Sequence, residues 1–132
     1  MTDEITLNTT RESPLDALLN RALERSGFDA LVLASLEGLP LANAPDEYAG
    51  DEAAAVVAFL EKASVKALEQ MRMAALDEII LRSSEHNQLV CRRLTINQED
   101  LVLIAVVPHN MAYRQAMNWT IHRISKMLSG RL

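Results

Sequence analysis

The sequence predicts a single α/β domain of the α+β kind, with elements in the order helix, two strands, helix, three strands, helix. Three observations carry that expectation. Apolar residues recur at helical spacing in three stretches, five short runs rich in Leu, Val and Ile are too brief for helices, and Gly, Pro, Asn and Asp cluster between them. The 132 residues, 49% of them apolar, suit one domain with a real core and leave no room for a second.

Apart from Met1, residues Met1 to Glu12 hold only Ile5 and Leu7 as large apolar side chains and show no period, so they read as a mobile tail ahead of a domain over 13–132. The first helix starts where Ser13 can cap and Pro14 fills the first helical position. Leu15, Leu18, Leu19, Ala22 and Leu23 form its apolar stripe, and Gly27 stops it. Asp29 to Ser35 and Leu39 to Ala42 then read as a hairpin turning on Leu36-Glu37-Gly38, with the second strand at a sheet edge because Pro40 lacks a donor. A loop from Asn43 to Gly50 brings Asp51 and Glu52 to the positive end of a second helix, about Asp51 to Met73. Ala53, Val56, Val57, Leu60, Ala67, Leu68 and Met71 are expected to face the core there. Leu76 to Ser83, Gln88 to Ile96 and Leu101 to Val107 read as a three-strand meander, with Asn97 to Asp100 as its second turn. Pro108 ends it. Asn110 is expected to cap a last helix marked by Tyr113, Met117, Ile121, Ile124 and Leu128 and stopped at Gly130.

The formal charge of −5 argues against nucleic acid and anionic membrane surfaces as main partners, since both attract basic patches. Cys91 is the single cysteine, so no intramolecular disulfide can form. The polar, acidic start is unlike a signal peptide, and no apolar run is long enough to span a bilayer, so a cytoplasmic location without membrane insertion is expected.

Catalytic chemistry has no visible seat. There is no GxxxxGK[ST] segment, and His86, His109 and His122 have no carboxylate or cysteine at ligand spacing, so neither a nucleotide nor a metal cofactor is expected. Cys91 lies in a covered strand without a nearby histidine and reads as a small apolar residue. Asp77, Glu78, Glu99 and Asp100 read as solvated rather than as an acid/base pair.

The second helix is unusual. Ala53 to Leu60 is eight residues without a polar side chain, so it has no obvious solvated face. At about 100° per residue, Ala54, Ala58 and Val65 point away from the expected core stripe, with Ala55 and Phe59 along its other border. Small residues let another helix approach closely, which points to packing against a second copy across a two-fold axis. The third strand, Ile79-Ile80-Leu81, is apolar on both faces, as in a strand covered on both sides. At a sheet edge it would instead be a sticky template that needs pairing.

The order of elements and the run GFDALVLASLEGLPLA, from Gly27 to Ala42, resemble the Roadblock family of dynein light chains and their bacterial and archaeal relatives. The resemblance spans about Pro14 to Leu128 and rests on the GLPLA-type second strand within Glu37 to Ala42, followed by the alanine-rich helix. The turn before Gly38 is poorer in aspartate than the family's pattern, and the last helix departs from it in being basic and carrying Trp119. The resemblance implies a five-stranded antiparallel sheet in the order second, first, fifth, fourth, third, with the long helix on one face and the terminal helices on the other. It also implies homodimerisation through that helix and the third strand, with Ala54, Ala55, Ala58, Phe59, Ile79 and Leu81 at the interface. Family members are non-catalytic scaffolds or regulators of small Ras-like GTPases. Lys62, Lys66, Glu69 and Arg72 around Val65 would form the GTPase platform, and Arg72, Arg82, Arg92 and Arg93 are candidates for a GTPase-activating arginine in trans. The competing expectation is a small-ligand sensory or generic interaction module of similar layout, which would need a pocket with converging polar groups.

Overall fold

A computed structural model describes residues 13–130; the segment read as a tail lies outside them. Eight elements follow in the expected order: α1 Pro14–Ser26, β1 Ala30–Ser35, β2 Pro40–Ala44, α2 Gly50–Gln70, β3 Glu78–Arg82, β4 Gln88–Ile96, β5 Glu99–Val107 and α3 Arg114–Leu128. All strand pairs are antiparallel, and the sheet order is β2-β1-β5-β4-β3.

Local chemistry explains most boundaries. The Asp16 N–H donates to Ser13 Oγ at 3.0 Å, and Gly27 takes φ 82° while its N–H donates to the Leu23 carbonyl, closing α1 at both ends. Pro40 pairs with Ala34 on an edge strand, where its missing donor costs no ladder bond. The β1–β2 turn runs close under α2. A Cβ on Gly38 would sit 3.3 Å from that of Ala58, and φ there is +100°, so glycine is required twice over. Asn43 Nδ2 donates to the Pro45 and Tyr48 carbonyls and pins the loop that enters α2, whose first turn carries Asp51 and Glu52 in place of a side-chain cap.

Several boundaries differ from expectation: β2 runs on to Ala44, α2 ends at Gln70 rather than Met73, and β3 covers only Glu78–Arg82. The β4–β5 turn uses only Asn97 and Gln98, both at positive φ, and β5 begins at Glu99, so Asp100 belongs to the ladder and accepts from Thr95 Oγ1. Asn110 does not cap α3. It sits at φ 62° in the preceding turn, and the helix starts after Tyr113 with no side-chain cap.

The strands alternate between two cores. Leu31, Leu33, Val90, Leu103 and Ala105 pack under α1 and α3, whereas Val32, Ala34, Cys91, Val102 and Ile104 pack under α2. Both faces of the central strands are therefore apolar, which is why β1 and β5 read as continuous hydrophobic runs.

Candidate functional site

Helix α2 lies one residue out of phase with its expected orientation. Ala54, Val57 and Glu61 are buried against the sheet with Ala58 half-buried beside Gly38, while Val56 and Met71 face outward. Ala54 and Ala58 thus point inward, not away from the core. The cause is the close approach of the β1–β2 turn and the sheet, which admits only small side chains along that line.

The outward surface of α2 divides in two. On one side Val56 lies beside Leu89 of β4, and Phe59 stands in solvent with 71% of its surface exposed. Leu81 of β3 pairs with Leu89, so this apolar strip runs toward the bare edge of the sheet, where Leu81 is also exposed; Ile80, exposed too, projects to the opposite face. Of the expected interface residues, Ala55, Phe59 and Leu81 are on the surface, and Ala54 and Ile79 are in the protomer's own core. On the other side Lys62, Val65, Lys66 and Glu69 line an open groove of about 390 Å³, closed opposite by Leu36 and Glu37. Arg72 is exposed beyond the helix end and lines no part of that groove.

Beneath the groove lies a charge pair that the sequence reading did not identify. Glu61 is 4% exposed and faces Arg93 at 2.9 Å, with Arg93 Nε donating to its carboxylate. Arg92, the neighbour on β4, turns to the opposite face, where it pairs with Glu78 at 3.7 Å and donates to Asn118 of α3. Glu78 is therefore not solvated; one of its oxygens, Oε2, is buried without a hydrogen bond. The signal was available: consecutive arginines on a strand covered on both sides must enter opposite layers, and each then needs a carboxylate. Of the four candidate arginines, Arg92 and Arg93 are held by these pairs, Arg82 donates to Gln88 Oε1, and Arg72 stands at the end of α2.

Between the two pairs sits Cys91, buried under α2. Burial first, then the carboxylates of Glu61 and Glu78, push its thiol from 9.0 up to about 12, so it stays protonated and unreactive near neutrality. His86, His109 and His122 are all exposed and dispersed, and among the described residues no group of His, Cys, Asp and Glu could hold a metal ion. No helix among them is long and apolar enough to cross a membrane.

No protein-family model matches the chain, and no curated protein sequence matches it. Solved structures do. Myxococcus xanthus MglB superposes with a TM-score of 0.73 over 88% of this chain and 95% of that one, at 11% identity. The gliding protein MglB of Thermus thermophilus gives 0.68 over 91% and 89%, at 18% identity. A Roadblock/LC7 domain from Streptomyces avermitilis gives 0.74 over 89% and 100%, at 16% identity. At these identities what is shared is the fold.

Proposed function

This chain has the Roadblock/LC7 fold, and from that premise we propose that it works as a non-catalytic homodimeric scaffold or regulator that binds a small Ras-like GTPase. The observation that carries the dimer is the incomplete cover of the α2 face. Five strands about 4.8 Å apart make a sheet roughly 20 Å wide, which one helix about 10 Å across cannot cover. Phe59, Val56 and Leu81 are what that shortfall leaves in water. A second copy related by a two-fold axis supplies the missing helix, and pairing through the bare edge of β3 satisfies its ladder. Ala55, Phe59 and Leu81, joined by Val56, form this proposed interface. Its fit with the dimerisation implied by the Roadblock resemblance supports the reading.

Two α2 helices side by side would then present Lys62, Lys66 and Glu69 around Val65 as a rim of charge about an apolar centre, the anatomy of a protein interface, with Arg72 outside that rim beyond the helix end. We place the GTPase there. A regulatory role is supported by the disposition of these groups, with Cys91 held protonated and the Arg92 and Arg93 guanidiniums held by carboxylates. The test is a pull-down from native cell extract loaded with GTPγS or with GDP, using the wild type and a Lys62→Glu, Lys66→Glu variant. Retention of a small GTPase by the wild type, lost in the variant, is the expected result. Equal retention by both moves the site off α2, and retention of no GTPase by either removes the GTPase reading.

A further inference from the structure

The outer face of the α1/α3 layer, remote from α2, carries a second surface. From Pro108 to Leu132 the sequence contains no Asp or Glu, in a chain whose net charge is −5. The start of α3 separates two open depressions of about 460 Å³ each, which meet at Ala112. Arg82, His109 and Arg114 line one, and Arg25 and Trp119 line the other; no carboxylate lines either. Trp119 is the single tryptophan of the chain. The guanidiniums of Arg25 and Arg123 lie over its ring at 4.6 and 5.2 Å from the centroid, and that of Arg114 lies over Tyr113 at 5.9 Å. Among the described residues none of these three arginines is in an ion pair, in contrast to Arg92 and Arg93.

We propose that the depression at Trp119 docks a short acidic segment of a protein partner, with Trp119 and the guanidiniums of Arg25 and Arg123 as its recognition elements. Stacking on an aromatic ring orders a guanidinium while leaving its N–H edge free, so the ordering cost of a bidentate carboxylate contact is already met in the free protein. Charge range selects the same partner. At physiological ionic strength a charge is felt over only about 8 Å, so a short acidic segment senses the depression, whereas a polyanionic membrane or nucleic acid also meets the acidic remainder of the chain. The surface lies across the sheet from the GTPase platform, so either proposal can fail alone.

The experiment is a titration of the full chain into fluorescein-labelled octaglutamate at 50 mM salt, read by anisotropy, with Trp119 emission followed in parallel on unlabelled peptide. The expected result is saturable binding with a matching change in Trp119 emission. Octaglutamine does not bind, and affinity falls about tenfold or more in an Arg25→Glu, Arg123→Glu variant whose circular dichroism is unchanged. The milder Arg25→Gln, Arg123→Gln pair, which removes charge without adding any, shows a smaller loss in the same direction. Lys62→Glu, Lys66→Glu on the opposite face leaves binding intact. Absence of binding, equal affinity in both arginine variants, or capture of phosphatidylserine vesicles without capture of the peptide overturns the proposal.

Discussion

The two faces of the sheet are covered unequally, and that inequality organises the molecule. On the α1/α3 face two helices cover most of the apolar layer, so Leu103, Leu33 and Met117 are fully buried and only its margins, at Leu41, Ile80 and Met127, are exposed. On the α2 face a single helix spans the same five strands, and Phe59, Val56 and Leu81 remain in solvent. A closed layer does its work as stability within the protomer. An open one leaves part of its hydrophobic driving force to association.

Substitutions on the two faces should therefore separate folding from assembly. The largest effect is expected on the better-covered face. Leu103→Ala removes a fully buried side chain from the central strand, and chemical denaturation should show a loss of about 3–5 kcal/mol, because the close-packed layer cannot collapse around the cavity. Next comes the charge pair beneath α2. Glu61→Ala strands Arg93 in a half-buried site, and with a third of the Arg93 side chain still hydrated the expected loss is about 2 kcal/mol. A Glu61→Leu, Arg93→Leu double variant should recover most of it; if the double loses as much as the single, the pair's charge is not what matters. The smallest effect is alkaline. Below pH 9 the Cys91 thiol is neutral in both folded and unfolded chains and does not affect stability. Above it the unfolded thiol ionises while the folded one holds its proton to about 12, so stability falls as pH climbs through that window. Comparing Cys91→Ala with wild type by thermal melts between pH 7 and 10.5 should show the curves diverging only in the upper part of the range.

The sequence was most legible where local chemistry acts alone. The Ser13–Pro14 start and Gly27 end of α1, the Pro40 edge strand and the limits of β4 all follow from caps, missing donors and turn residues. The phase of α2 did not. Ala53 to Leu60 is apolar on every side, so its period has no direction: Val57 is buried as expected, with Ala53 and Leu60 packed against the core, but Val56 is exposed and Ala54 and Ala58 turn inward, where the Gly38 turn comes close. The same phase carries Glu61 inward, and its partner Arg93 lies 32 residues away, beyond any local pattern. Of the proposed site, Phe59 and Lys62 were legible as exposed because they stand outside that tight line; Ala54 and Ile79 were not recognisable as core, because their partners come from elsewhere in the chain.

The dimer is the claim on which the platform rests, and its mass decides it. Multi-angle light scattering of the wild type at tens of micromolar should give twice the 14.7 kDa of one chain, and a Val56→Glu, Phe59→Glu variant should run as a monomer with unchanged circular dichroism. A monomeric wild type, or a variant that keeps the doubled mass, contradicts the account.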